Sequence, residues 1–194
     1  MISEAAGERC GWCGTDPLYV DYHDHEWGRV ERDSTALFAK LCLDGFQAGL
    51  AWITILRKRE AFFAGFADFD PHVIAEWGEP EVQRLLADAG IVRHRGKIEA
   101  TIGNARAWQE LEARPGGFSE FIWSAVDGVP VTNRYTELSQ VPATDPRTDE
   151  LSKRLKKAGF RFCGPTIVYA FAQATGLFND HLITCPAHAE CAQQ

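Results

Sequence analysis

Eight sulfur and imidazole side chains crowd the two ends of this 194-residue chain. Cys10, Cys13, His23 and His25 lie in "CGWCGTDPLYVDYHDHEWG" (10–28), and His181, Cys185, His188 and Cys191 in "NDHLITCPAHAEC" (179–191). A closed structural zinc site takes four Cys/His ligands in a tetrahedron. Ligands drawn from both stretches would fasten the termini together. A redox role for the Cys10-x-x-Cys13 pair needs a strand–helix setting that the surrounding sequence lacks. Spacing alone leaves eight candidates for four places.

The opening stretch also carries Trp12, Tyr19, Tyr22 and Trp27, enough aromatic surface to wall a pocket. A third kind of chemistry sits at 148–176, where "LSKRLKKAGFRFCGPTIVYAFAQATG" reads as helix, short hairpin, helix. Lys156 and Lys157 end the first helix, and Gly164, Pro165 and Thr166 open the second. Free backbone N–H groups at such a helix start, beside lysines, form an anion site suited to a DNA phosphate. The whole chain has a formal charge of −7, and residues 1–50 hold nine acids against four bases. Residues 151–165 instead hold five bases and no acid, and "RKR" (57–59) and "RHRGK" (93–97) add two more basic patches. A basic surface on an acidic body is compatible with phosphate binding.

The elements that must position these residues are helical nearly throughout. Ser34 reads as the N-cap of "STALFAKLCLDG", whose Leu37, Phe38, Leu41 and Cys42 share a face. One helix is expected from about 50 to 64. Helix starts are expected at Asp70-Pro71 and Glu79-Pro80, the second running to a left-handed Gly90. The longest helix is expected over 94–112, and the last two over 148–158 and 165–176. Five of the nine prolines fall between 115 and 165, in an irregular stretch. "GVPVTNRY" reads as a short extended piece without a convincing partner. The fold class is all-α, one domain over 1–194, with 1–30 and 178–194 forming an anchored lobe.

Nothing in the sequence spans a bilayer as a helix, because no run of about 18 apolar residues occurs. The start "MISEAAGER" lacks the basic and apolar regions of a signal peptide, so the expected location is the cytoplasm. Cys42 and Cys163 fall in apolar helical patterns and are expected to be reduced core residues.

Five segments in order carry a resemblance: "RCGW", "DPLYVDYHDHEWG", "LCLDGFQAGLAWITILRKRE", "DAGIVRHRGKIEATIGNARA" and "GFRFCGPTIVYAFAQATGLFNDH". Over about residues 8–185 the chain resembles the 3-methyladenine DNA glycosylase I family, within the helix-hairpin-helix DNA glycosylases. The resemblance implies a helix-hairpin-helix glycosylase fold that excises 3-methyladenine from alkylated double-stranded DNA, working as a monomer. It implies a structural zinc ion on Cys10, His23, His181 and Cys185, with Cys13, His25, His188 and Cys191 as bystanders. It implies an extruded base held among Trp12, Tyr19, Tyr22, Trp27, Asp44 and Trp52, with Asp44, Tyr22 and Trp52 as the catalytic residues. Where the family usually has glutamate, this sequence has Asp44, about 1.5 Å shorter in reach. Gly49 and Leu50 are expected to enter the gap left by the flipped nucleotide, Leu50 as an apolar wedge. Asp180 adjoins His181 and is expected to organise that turn.

Overall fold

Residues 8–194 are described in the computed structural model, so residues 1–7 of the expected anchored lobe lie outside it. The centre of the fold is α2 (Ser34–Gln47), preceded by α1 (Pro17–His25). Every residue of α2 from Leu37 to Phe46 is buried except Lys40, which is half-buried. A helix apolar on nearly all sides belongs inside other elements rather than on a surface. Its two charged interior residues, Lys40 and Asp44, are one turn apart and share a face. Asp33 rather than Ser34 is the N-cap: its carboxylate accepts from Ala36 N–H at 2.8 Å, while Ser34 Oγ donates to Glu112 at 2.6 Å.

The helix expected over 50–64 is two: α3 (Trp52–Leu56) and α4 (Arg59–Gly65). The break falls at Lys58, whose backbone (φ −103°, ψ 2°) is not helical. Arg57 pairs with Asp16 at 2.6 Å, and Lys58 donates to the carbonyls of Ala89 and Gly90 at 3.0 and 3.1 Å. Then follow α5 (Pro71–Ala75), α6 (Glu79–Ala87), α7 (Arg95–Glu112) and α8 (Gly117–Trp123). Asp70 caps α5 as its sequence implies. Gly90 is not left-handed. Asp88 ends α6 by accepting from Gly90 N–H at 2.7 Å, and a Cβ on Gly90 would meet Ala61 Cβ at 2.9 Å. Close approach, not a positive φ, requires glycine there.

The extended piece does find a partner. β1 (Val131–Thr132) pairs in parallel with β2 (Phe178–Asn179), a two-residue ladder too local to read from either segment alone. Between them lie α9 (Pro146–Lys157) and α10 (Pro165–Ala174), which pack on each other, with α10 also against α2. The hairpin joining them is a Schellman closure. Gly159 takes φ 102°, its N–H donates to Lys156 O at 3.0 Å, and Phe160 N–H donates to Leu155 O at 3.0 Å. Asn104 of α7 then holds Arg161 through both its oxygen (2.8 Å) and its amide nitrogen (3.2 Å). Gly45 of α2 leaves room for Phe162, whose Cβ and O would lie 3.3 Å from any Cβ at that position. The hairpin therefore rests beside the end of α2 that carries Asp44.

The termini meet as expected. Cys10 packs with Leu182, Cys185 and Ala187 in a small cluster of its own, bordered by Trp12, and α11 (Pro186–Cys191) closes the chain. No helix of the described residues is long and apolar enough to cross a membrane.

Candidate functional site

Cys10, His23, His181 and Cys185 converge, all buried, with their ligand atoms within 4.8 Å of one another. Cys10 Sγ is 3.5 Å from His181 Nδ1, and Cys185 Sγ is 3.6 Å from His23 Nε2. The outer ring nitrogens explain why the inner ones face inward bare. His181 Nε2–H donates to Trp27 O at 3.0 Å, and a carbonyl can only accept, so Nδ1 keeps its lone pair. His23 Nδ1–H donates to Asp24 at 2.8 Å, leaving Nε2 free. Arg9 grips that Asp24 carboxylate at 2.9 Å and holds it below the usual carboxylate range. Two buried thiols and two imidazole lone pairs, oriented by outer hydrogen bonds, are the donor set of a metal site. The other four candidates are turned elsewhere. Cys13 Sγ bonds Cys10 O at 3.2 Å, His25 sits on the surface against Asp21, and His188 bonds Asn133 O at 2.8 Å. Cys191 is buried outside the cluster.

One wall of this metal cluster is also the wall of a cavity. Trp27 lies edge-on to His181 with centroids 4.6 Å apart, and Trp12 reaches His23 at 5.2 Å and Trp27 at 5.0 Å. Both tryptophans also line a cavity of about 290 Å³, together with Tyr19, Tyr22, Asp44 and Trp52. All six residues named from the sequence for this pocket are in its lining. Tyr22 and Trp52 lie 5.4 Å apart, tilted at 44°.

Two polar atoms of this lining are buried without a partner: Asp44 Oδ2 and Trp52 Nε1. Such atoms cost stability unless something pairs with them, which marks them as groups kept for a ligand. One is an acceptor and the other a donor. Asp44's second oxygen, Oδ1, takes the ammonium of Lys40, which lies 3.9 Å over the Trp52 ring. Burial pushes the Asp44 carboxyl above the usual carboxylate range, with Lys40 pulling the other way. Burial together with the Asp44 charge also raises the Tyr22 phenol, which stays neutral. Across the cavity, Asp180 accepts from Asn133 (2.7 Å), Tyr169 (2.5 Å) and Gln173 (2.8 Å).

With this geometry in place, comparison with known proteins is decisive. The methyladenine glycosylase family model matches residues 12–188. The chain belongs to the methyladenine glycosylase family. It is 53% identical over 178 residues to DNA-3-methyladenine glycosylase 1 of Escherichia coli (strain K12), covering 92% of this chain and 95% of that one. A crystal structure of 3-methyladenine DNA glycosylase I superposes with a TM-score of 0.92 at 52% identity, over 93% of this chain and all of that one. The Staphylococcus aureus enzyme, whose structure addresses 3-methyladenine recognition, gives 0.91 at 41% identity over 94% and 97% of the two chains.

In this methyladenine glycosylase family member, the residues expected from the sequence to contact DNA lie outside the lining of the cavity. Gly49 (φ 82°) and Leu50 form the loop between α2 and α3, and Leu50 is 42% exposed. Lys97 fixes that loop by donating to Phe46 O and Ala48 O, both at 2.8 Å. Lys156 and Lys157 are exposed in the last turn of α9, and Gly164, Pro165 and Thr166 form the start of α10. The three basic patches are not equivalent. Arg57 and Arg59 are paired with Asp16 and Glu26, and Arg95 with Glu79 and Glu99. Sequence reasoning missed Lys40, although a lysine inside an apolar helix four residues from an aspartate was the available signal.

Proposed function

We propose that this protein flips 3-methyladenine out of alkylated double-stranded DNA and hydrolyses its glycosidic bond, leaving an abasic site. The observation that carries this is the aromatic cavity with one unpartnered carboxylate oxygen and one unpartnered indole N–H, in a member of this family. A flipped base is read by stacking and by edge hydrogen bonds. Trp52 and Tyr22 supply the stacking faces, and Asp44 Oδ2 accepts from the exocyclic amine. N3-methylation leaves a cationic purine. When the bond from N9 to C1′ breaks, its electron pair goes to the base, which departs neutral. Water bonds to C1′ and loses a proton. The protein's task is to hold the base, exclude unmodified adenine and admit that water.

Cys10, His23, His181 and Cys185 would hold a structural zinc ion that fastens the two chain ends, and His181 and His23 contact Trp27 and Trp12 of the cavity wall. Leu50 fills the gap in the duplex, and the 148–176 helix-hairpin-helix grips the backbone. Because Lys156 and Lys157 are exposed beside that hairpin, replacing both with alanine should weaken binding to duplexes of any sequence. For every phosphate that is no longer neutralised, the plot of log affinity against log salt should flatten by about 0.9. Unchanged affinity at low and high salt would place the DNA elsewhere.

The base-reading role is tested by adding free 3-methyladenine and following tryptophan fluorescence. Saturable quenching is expected for 3-methyladenine, strongly weakened in Trp52→Ala, since stacking is worth about 1–3 kcal/mol per base. Equal binding of adenine would argue against it.

A further inference from the structure

Lys40 lines the cavity together with Asp44 and Trp52. Its side chain is 17% exposed and that of Asp44 1% exposed. One ammonium touches both the carboxylate that reads the base and the face of Trp52. Asp44 lies in the last turn of α2, where the helix dipole is negative and a second negative charge is disfavoured. Buried there alone, a carboxyl group takes up a proton rather than stay charged.

We infer that Lys40 is a positioning residue for excision: it keeps Asp44 ionised with Oδ2 turned to the cavity, and so sets the acid edge of the working pH range. The inference rests on the base-recognition role proposed for Asp44. Three observations support it. The pair occupies Oδ1 and leaves Oδ2 buried and unpartnered. Lys40 is the one group that lowers the Asp44 carboxyl against the pull of burial. Other charged groups facing the pair are committed among themselves. Glu26, which caps the end of α1, is paired with Arg59 of α4 at 2.5 Å, and Asp180 beyond β2 with its three donors. Tyr22 of α1 and Cys42 of α2 face the same carboxylate, both pushed up by burial and neutral.

The test is single-turnover release of 3-methyladenine from duplex DNA between pH 5 and 9, using the parent, Lys40→Met, Lys40→Arg, Asp44→Asn and the Lys40→Met/Asp44→Asn double variant. Lys40→Met should move the acid limb up by at least about one pH unit, a tenfold loss at any pH below both limbs. Lys40→Arg should restore it. In the Asp44→Asn background, where nothing remains to be kept ionised, Lys40→Met should change the rate little. Lys40→Gln gives a second neutral variant should Lys40→Met fold poorly, and thermal melting checks both. An unmoved acid limb in the neutral variants, or an equal loss with and without Asp44, would reduce Lys40 to packing. A parent protein that releases no 3-methyladenine would overturn the functional reading itself, a different result from either.

Discussion

Cys10→Ser and His181→Ala are expected to purify without zinc and to lose most of their cooperative stability. Binding of a structural zinc ion is coupled to folding, with apparent free energies of about 10–16 kcal/mol in small zinc domains. Whole domains are stable by only about 5–15 kcal/mol. Even a loss of about 5 kcal/mol lowers the melting temperature by some 10–20 °C in a chain of this size. The damage should also reach the cavity, because Trp27 O holds His181 and Trp12 packs on His23. Cys13→Ser is the control, since its sulfur is turned to the Cys10 carbonyl, and it should keep one zinc per chain. Full zinc in Cys10→Ser and His181→Ala, by metal analysis, would refute this ligand set.

Asp44→Asn should slow excision of 3-methyladenine by about 10- to 100-fold and blunt discrimination against adenine, without abolishing turnover. The amide keeps an acceptor oxygen but loses the charge, and hydrogen bonds to charged groups are worth about 1.5–3 kcal/mol. The cationic lesion supplies its own leaving-group activation, so no general base at the sugar is required of Asp44. Removing a true general base would cost about 10²–10⁴-fold. Asp44→Glu restores the family's usual reach and should be at least as active as the parent. An Asp44→Asn protein that binds abasic-site DNA normally but releases no base would make Asp44 a participant in bond breaking.

What the sequence made legible was what lay within a single segment or a single motif. The buried run of α2 announced a central helix, and the Gly159 and Gly164 hairpin with Pro165 announced the turn between α9 and α10. The ligand set was different: residue types and spacing allowed eight candidates, and only the family resemblance chose the four that converge. What stayed hidden depended on distant partners. Arg57 and Lys58 look like helix interior, but the backbone leaves helical geometry at Lys58 (φ −103°, ψ 2°), and their side chains reach Asp16 and the 89–90 carbonyls. The charges of residues 57–59 look like a DNA-facing patch, but Arg57 and Arg59 are spent on acids of the 16–26 region. β1 and β2 are two residues each, and only the fold brings them side by side. Lys40 was hidden differently: its neighbour Asp44 was visible, but the face of Trp52 beneath its ammonium was not.

Base release from methylated duplex DNA, with the freed bases separated and identified, tests the proposed activity most directly. N-methylated DNA carries both 3-methyladenine and 7-methylguanine. The protein should release 3-methyladenine, leave alkali-labile abasic sites in equal number, and free little 7-methylguanine or adenine. Release of 7-methylguanine at a comparable rate would make it a glycosylase of broad alkylpurine range. DNA binding without release of any base would make it a non-catalytic helix-hairpin-helix protein, and would contradict the reading of the cavity.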